Sequence, residues 1–347
     1  MATIRDVANR AGVSPASVTR VIGGYPNVSE VLRGRVLAAV EEVGYNPDLL
    51  AAGLRRGTTN TVGVIINDIL NPAIAQMVDI IESELRVKGF GVIFANSNGD
   101  PANDLESLRL LKQRRVDGLI AAFSDDQQEE LQQDLANLPI PTVLLDRKMD
   151  TPGISAVLTD HYAGASLLLR HFIDRGHREI GLINGSLSGY PSRARAYAYR
   201  DIMKEFDLPN RPELQMNERG SEEFGRRAIR ELFSLDNPPT AIIVGNGNTG
   251  ALAGVLGEIR DRRIRIGEDL ALAACEDGPL TTLHTPPITT LRRDIVDFAM
   301  RATHLTLQML EKKSDSSHEV LLPLTLNIRE STDWDIAGRT AGAAMSS

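Results

Sequence analysis

The segment PASVTRVI predicts a short helix that presents one arginine and several small or polar residues on a single face. The exposed positions are Pro15, Ala16, Ser17, Thr19 and Arg20. Arg20 could read a guanine edge through two parallel hydrogen bonds, or it could clamp a backbone phosphate. Both chemistries require a helix that enters a groove of the duplex, so the elements around Arg20 decide whether either is feasible.

Two helices separated by a tight turn are predicted at this point of the chain. Thr3, with Asp6 three residues later, forms a capping-box pattern that begins a first helix, and Gly12 ends it. Ser14 suits an N-cap and Pro15 suits the first helical position. The second helix therefore begins directly after the turn that follows the first.

A third helix supports the first two. Ser29 is a suitable N-cap, apolar residues follow at helical spacing, and Gly44 ends the pattern. Two short helices on a tight turn, packed on a third, predict a helix-turn-helix domain. A small three-helix domain with no role in DNA binding is the alternative that spacing leaves open.

Composition indicates a soluble globular protein with room for two or three domains. The chain has 347 residues, of which 42% are hydrophobic and 24% charged. No apolar run is long enough to span a membrane, and the polar start MATIRDVANR is not a secretory signal. A single cysteine, Cys275, excludes an internal disulfide framework. We expect a cytoplasmic protein.

The distribution of charge suits a DNA-binding head on an acidic body. Residues 1–60 contain seven arginines and five acidic residues, a net charge of +2. Because the whole chain has a net charge of −8, the remaining residues together carry −8 − 2 = −10. Such a head can bind DNA locally while the body is repelled. Because the head is only weakly basic, we expect dimerisation to supply much of the affinity.

From Thr61 onward the pattern changes to alternating strands and helices. Continuous apolar strands between helices predict parallel sheets that are covered on both faces. The predicted strands are 61–67, 90–96, 118–123, 141–146, 179–184, 241–246 and 269–275, and the predicted helices include 72–88, 103–114, 161–175 and 193–206. Two such sheets indicate two doubly wound lobes, with ligand at the carboxyl ends of the strands.

Enzyme motifs are absent from the sequence. No GxSxG nucleophile elbow or P-loop occurs, and none of the six histidines makes a metal-spaced pair with acids or cysteine. Gly245-Asn246-Gly247 follows a strand but lacks the third glycine of a dinucleotide-binding loop. We therefore expect no enzyme activity, no cofactor and no metal.

Two segments, TIRDVANRAGVSPASVTRVI and NVSEVLRGRVLAAVEEVGYNPDLLAAGLRRG, resemble the DNA-binding head of the lactose/galactose-repressor (LacI-type) family. The likeness continues to the IRESTD ending at residues 328–333. It implies an N-terminal all-α helix-turn-helix domain and an α/β periplasmic-binding-protein-like body of two doubly wound parallel-sheet lobes. The implied division is 1–46 for the helix-turn-helix domain, 47–60 for a hinge, 61–160 with 292–321 for the first lobe, 161–291 with 322–333 for the second, and 334–347 for a flexible tail.

The resemblance also implies a short hinge helix that folds on operator DNA, with Leu54 inserted into the minor groove. The segment Leu49 to Arg56 is short, apolar and interrupted by glycine, so it should be marginal as a helix until something packs on it. An ordinary linker with solvated arginines is the alternative. The predicted DNA contacts are Thr3, Ser14, Pro15, Ala16, Ser17, Thr19, Arg20, Asn27, Ala51, Leu54 and Arg55.

Effector-binding residues are implied at the ends of the strands, in the cleft between the lobes. Ala73 and Ile74 stand where the family usually has an aromatic pair, and Glu276 stands where an aspartate is usual. The predicted set is Asn71, Ala73, Ile74, Asp146, Arg147, Asp160, Arg195, Asn246 and Glu276. Each carboxylate could instead cap the next helix, and each arginine could form a structural ion pair.

Together these residues favour a carbohydrate-derived effector. Arg147 and Arg195 could pair with an anionic group, while Asp146, Asp160 and Glu276 could accept hydrogen bonds from hydroxyls. We expect a sugar or a sugar acid. A protein co-regulator, or control without a ligand, is the first alternative. A free-standing sugar-binding protein is more remote, since it would need an export signal and no DNA-binding head.

The sequence as a whole predicts a transcriptional regulator, most simply a repressor, that a small molecule switches. The segment STDWDIAGRTAGAAMSS has no leucine heptad of the kind that tetrameric members of the family use. We therefore expect a homodimer on a pseudo-palindromic operator of double-stranded DNA.

Overall fold

The computed structural model describes residues 2–23, 25, 27–46, 58–245, 249–312 and 317–333. Two compact units divide the chain, a head up to Asn60 and a body from Thr61. No helix within the described ranges is long and apolar enough to cross a membrane.

In the described residues of the head, up to 46 and 58–60, there are three helices. They are α1 (Ile4–Ala11), α2 (Pro15–Ile22) and α3 (Glu30–Val43). The predicted caps are confirmed: the side chains of Thr3, Ser14 and Ser29 each accept a hydrogen bond from a backbone N–H in the first turn of their helix. Asp6 completes the capping box on Thr3.

Glycine and a small apolar core fix the angle between α1 and α2. Gly12 ends α1 with φ of 60°, a left-handed conformation that L side chains rarely adopt. Val7, Val18 and Val36 are fully buried, one from each helix of the head. Because one face of α2 supplies this core, its opposite face is left for a partner.

Among its described residues, the body contains two six-stranded sheets. The strands are β1 (Thr61–Ile66), β2 (Gly91–Asn96), β3 (Gly118–Ala121), β4 (Thr142–Leu145), β5 (Ile154–Thr159), β6 (Ile180–Asn184), β7 (Gln215–Asn217), β8 (Ala241–Val244), β9 (Ala271–Ala274), β10 (Thr289–Arg292), β11 (Glu319–Leu322) and β12 (Thr325–Asn327). The first sheet has the order β11-β5-β4-β3-β1-β2 and the second β12-β10-β9-β8-β6-β7. Between these twelve strands, every pairing is parallel except that of β10 with β12.

Helices connect the strands and cover the sheets. They are α4 (Pro72–Val87), α5 (Pro101–Gln113), α6 (Glu129–Ala136), α7 (His161–Asp174), α8 (Tyr190–Glu205), α9 (Glu222–Leu232), α10 (Thr249–Asp261), α11 (Pro279–Thr282) and α12 (Ile295–Lys312). Two apolar clusters pack on the faces of each sheet. This arrangement confirms the predicted pair of doubly wound parallel lobes.

Several strands were not predicted from the sequence. Strand β5 follows β4 without an intervening helix, while β7, β11 and β12 lie at sheet edges and are short or partly exposed. The predicted lobe boundaries also need a correction of one residue at two crossings. Arg292 ends β10 in the second sheet, and Leu322 ends β11 in the first. Backbone pairing along these two strands sets both boundaries.

Candidate effector cleft and DNA-binding surface

A cavity of about 740 Å³ lies between the lobes at the carboxyl ends of the strands. The first sheet contributes residues after β1 and β4, among them Asn67 and Asp146, and the second contributes Cys275 and Glu276 after β9. Parallel strands bring polar residues from distant parts of the chain to one edge. The volume falls within the range of small-molecule sites.

Asp146 is the centre of a buried polar network in this cleft. Its carboxylate accepts hydrogen bonds from the backbone N–H and the hydroxyl of Thr159, at 2.6 and 3.2 Å. Arg293 Nη1 lies 2.7 Å, and His161 Nε2 3.3 Å, from Asp146 Oδ2. Burial acts to raise the pKa of Asp146, but Arg293 and His161 outweigh it and hold that pKa well below its usual range. The Asp146 carboxylate is therefore ionised and already fully engaged.

Arg195 of α8 lines the cavity and is only 5% exposed. Its Nε donates to Asn184 Oδ1 at 2.9 Å and its Nη2 to Ser192 Oγ at 3.3 Å, while Nη1 lies 3.5 Å from Nδ1 of His161. Burial lowers the pKa of Arg195. Within the described residues, no carboxylate forms an ion pair with it.

Arg147, directly after Asp146, is the second buried arginine of the cleft, with 7% exposure. Its Nε donates to the carbonyl oxygen of Phe123 and its Nη1 to that of Asp146, the latter at 2.7 Å. Burial lowers the pKa of Arg147 as well. In the part of the chain that the structure describes it also lacks an ion pair, so the predicted alternative of a structural ion pair does not apply to either arginine.

Glu276 and Asn71 connect the two lobes across the cavity. The Nδ2 of Asn71 donates to Glu276 Oε2 at 3.0 Å, while the Oδ1 of Asn71 accepts from the backbone N–H of Ala73 and caps α4. Burial raises the pKa of Glu276. Since Asn71 is its one hydrogen-bond partner among the described residues, Glu276 keeps acceptor capacity for a ligand. Ala73 and Ile74 line the same cavity.

Asp160 is a correction to the predicted set. It does not line the cavity among the described residues, and its carboxylate accepts from the backbone N–H of Ala163 at 2.9 Å to cap α7. The capping alternative is what the structure shows at this position, because the carboxylate accepts from the first turn of the helix that follows it. Asn246 lies outside the described residues.

His161 and Arg293 belong to the cleft although the sequence analysis did not assign them to it. Both contact Asp146, and both line the cavity. Burial lowers the pKa of His161 to about 4, against the attraction of the Asp146 carboxylate. The position of Arg293, two residues after the predicted lobe boundary at 291, was the one signal that could have identified it.

The second site is the outward face of α2 in the head. Pro15, Ala16 and Arg20 are exposed, and Ser17 and Thr19 are partly exposed. The Thr19 hydroxyl donates to the carbonyl of Pro15 at 3.0 Å. In the described part of the chain, Arg20 has no ion pair or hydrogen bond through its side chain.

Two other arginines of the head already have partners within it. Arg10 forms an ion pair with Glu42, and Arg33 donates to the carbonyl of Tyr25 at 3.4 Å. The remaining predicted DNA contacts are Ser14 and Thr3, which cap their helices, the exposed Asn27, and Ala51, Leu54 and Arg55, which lie outside the described residues. Arg20 is therefore the cation of α2 that is available to DNA.

Comparison with known proteins identifies the family. A model of bacterial regulatory proteins of the lacI family matches residues 3–48, and one of periplasmic binding protein-like domains matches residues 169–332. The catabolite control protein A of Priestia megaterium is 32% identical over 331 residues, which cover 95% of this chain and 99% of that protein. The chain belongs to the lacI family of bacterial regulatory proteins.

Further relatives of this LacI-family protein agree. The ribose operon repressor of Escherichia coli K12 is 31% identical over 297 residues, 84% of this chain and 88% of that one. The solved structure of the Lac repressor dimer bound to operator and an anti-inducer superposes with a TM-score of 0.80 at 26% identity, covering 95% of this chain and 99% of the other. The predicted resemblance and fold class are confirmed, and the protein is a DNA-binding transcriptional regulator.

Proposed function

We propose that this LacI-family regulator represses transcription from a pseudo-palindromic operator, which it binds as a homodimer, and that a carbohydrate-derived effector in the cleft switches it. The observation that carries the effector is the pair of buried arginines, Arg147 and Arg195, which line a cavity of about 740 Å³. A buried guanidinium without a carboxylate is costly unless a ligand or a full set of acceptors compensates it.

The cleft offers both acceptors and cations for a polyhydroxylated ligand. Glu276 can accept from a hydroxyl, and Arg195 can donate to an oxygen or pair with an acid group. Asp146 holds Arg293 and His161 in place, since its oxygens are occupied. A ribose operon repressor and a Lac repressor bound to an anti-inducer are among the relatives, which supports a sugar or sugar acid.

Binding of the effector changes the relative position of the lobes, and through them the spacing of the two heads on DNA. A ligand can shift this equilibrium only by its difference in affinity for the two states. Each head places α2 in the major groove of one half-site, with Arg20 at a base or a phosphate. The hinge residue Leu54 is proposed to insert at the operator centre. We infer a cytoplasmic location from the DNA partner.

A thermal-shift screen of the full chain tests the effector. The panel holds sugars, sugar acids, sugar phosphates and purines. A ligand at about 100 times its dissociation constant adds roughly 2.7 kcal/mol, which corresponds to a shift of several degrees. A hit that also changes operator affinity supports the proposal. A blank panel, from protein that still binds operator, would favour control by a protein co-regulator or without ligand.

The oligomeric state is tested separately. Sedimentation equilibrium of the full chain, with and without a pseudo-palindromic operator, should give a dimer. A tetramer in free solution would contradict the proposal, because the sequence carries no leucine heptad that would join two dimers.

A further inference from the structure

The helix that carries Arg195 begins without a cap from its own chain segment. The N-cap of α8 is Gly189, which has no side chain to accept a hydrogen bond from the first turn. The first N–H groups of a helix need an acceptor, and an anion there is favoured by the helix dipole. The acceptor in this protein comes from the other lobe.

Asp126, in the loop after β3 of the first lobe, supplies that acceptor. Its Oδ2 accepts from the backbone N–H of Tyr190 at 3.0 Å, and its Oδ1 accepts from Arg193 Nη2 at 2.6 Å. The backbone N–H of Asp126 donates in turn to the carbonyl of Ser188 at 3.3 Å. We call this set, Asp126 with Ser188, Tyr190 and Arg193, the cross-lobe cap.

Burial makes the cross-lobe cap dependent on contact between the lobes. The side chain of Asp126 is 0% exposed. Its partners within the first lobe are the backbone N–H of Lys148 at 3.4 Å and the side-chain amide of Gln127 at 3.1 Å. A carboxylate at full burial needs its whole set of donors, so separation of the lobes removes both its charged partner and its helix N-terminus.

The cross-lobe cap adjoins the effector cavity. Ser188 and Gly189 line the cavity, and so do Ser192 and Arg195 one turn further along α8. Arg147 lines it from the first lobe, and its charge interacts with that of Asp126. Docking of the α8 N-terminus onto the first lobe therefore sets where Arg195 stands relative to Arg147.

We propose that Asp126 is a positioning residue, whose cross-lobe cap on α8 holds the cleft closed before the effector binds. This inference rests on the proposed role of the cleft as the effector site. The protein without effector then already occupies the closed arrangement for most of the time, and an effector acts on an equilibrium that is biased toward closure.

The distance between the lobes tests the proposal without any ligand, so its failure is distinguishable from failure of the proposed effector function. Spin labels are placed on Glu106→Cys of α5 and Glu223→Cys of α9, both exposed, in the full chain. These helices flank the mouth of the cleft, where Arg219 lies against Gly99 of the opposite lobe. Cys275 is buried with its pKa raised to about 11, so thiol reagents select the introduced cysteines.

Asp126→Ala should shift the distance distribution to longer values by several ångströms, and should speed amide exchange at Tyr190 and Ser192 at least tenfold. Asp126→Asn keeps an acceptor for the N–H of Tyr190 but loses the charge opposite Arg193, so it should give a smaller shift. Arg109→Ala is the matched control, because its partners Glu130 and Asp134 lie in the same lobe. Unchanged distances in both Asp126 variants would overturn the proposal.

A second substitution separates closure from helix capping. Gly189 has extended backbone angles, and a Cβ there would meet only ordinary contacts beyond 3.5 Å, so Gly189→Ser can cap α8 within its own lobe. Added to Asp126→Ala, it should restore slow exchange at the amide of Ser192, the third helical residue that a serine cap at position 189 reaches, while the lobes stay apart. If it also restored the short distance, Asp126 would be a helix cap alone and the proposal would be wrong.

Discussion

The DNA-binding helix and the effector cleft both present arginine, but they hold it in different ways. Arg20 projects from α2 with no ion pair among the described residues, whereas Arg195 is 5% exposed and fixed by Asn184, Ser192 and His161. An exposed arginine keeps its hydration until DNA arrives. A buried arginine has already lost its hydration, so its contribution to binding affinity depends on the hydrogen-bond acceptors or the charge that the ligand brings.

The two sites also differ in how the chain builds them. The surface of α2 comes from one run of eight residues, which its own cap and turn position. The cleft combines residues from β1 to β9 and beyond, such as Asn71 and Glu276, which meet only because two sheets place their strand ends together. A substitution on α2 should therefore change only its own contact with DNA. A substitution in the cleft should also change the positions of the side chains to which that residue is hydrogen-bonded.

The largest expected effect is that of Arg195→Ala on effector binding. Once the screen gives a ligand, we expect its affinity, measured by calorimetry, to fall roughly 100- to 1,000-fold, since a buried charged donor is lost. Operator affinity without effector should change less than twofold. Arg170→Ala, which removes an exposed ion pair with Glu205 in the same lobe, is the control. Full effector affinity in Arg195→Ala would show that the pocket is wrongly assigned.

Acid should destabilise the body through protonation of a buried histidine, His161. The head contains no histidine, since none occurs before His161. The pKa of His161 is about 4 in the folded body and ordinarily 6.5, so the unfolded state binds more protons between these values. The free energy of unfolding should fall by about 3 kcal/mol from this group as the pH drops from 6.5 to 4. Denaturant titrations should show a shallower pH slope in His161→Gln, and an equal slope would contradict the assignment.

Arg20→Ala should weaken operator binding roughly 10- to 100-fold and leave effector binding unchanged. If Arg20 reads guanine, selectivity at one base position relaxes; if it clamps a phosphate, the salt slope decreases by about one. Fluorescence anisotropy at several salt concentrations on matched and single-base-changed operators distinguishes these outcomes. Arg10→Ala, which breaks an exposed ion pair with Glu42, is the control and should cost much less.

The smallest expected effect is that of Ser29→Ala, which removes the N-cap of α3 and should cost the head about 1 kcal/mol. Hydrogen exchange should increase at the amides of the first turn of α3, while the body keeps its exchange rates. Ser29→Asp retains an acceptor at this position and should behave like the original chain. Faster exchange throughout the body would show that the two units do not respond separately.

The sequence predicted the three helices that the structure describes in the head, because their determinants are local. Caps at Thr3, Ser14 and Ser29 and the left-handed Gly12 act within a few residues of themselves, and the structure has them as predicted. Most strands that follow a helix in the body were also predicted, since a continuous apolar run between helices has few other solutions. The buried strand β5 was not, because no helix separates it from β4. Edge strands such as β7 and β12 were not, because their short, partly exposed segments are defined by the neighbour with which they pair.

In the cleft, the sequence predicted which residues stand at the strand ends, but it did not predict whether each side chain lines the cavity or caps a helix. Asp146, Arg147, Arg195 and Glu276 line the cavity, while Asp160, of the same type and at a similar strand end, caps its own helix. No local signal separates the two aspartates, because the direction of each side chain depends on which donors the packed lobes bring near it.

By itself, the sequence determined the helix-turn-helix, the two-lobed parallel architecture and the types of residue at the strand ends, since these follow from local capping and from the apolar pattern. Only the tertiary structure decided that the carboxylate of Asp146 contacts Arg293 and His161, and that Asp126 caps a helix of the opposite lobe. Both contacts join residues far apart in the chain. Their energies depend on burial, which exists only after the sheets have packed.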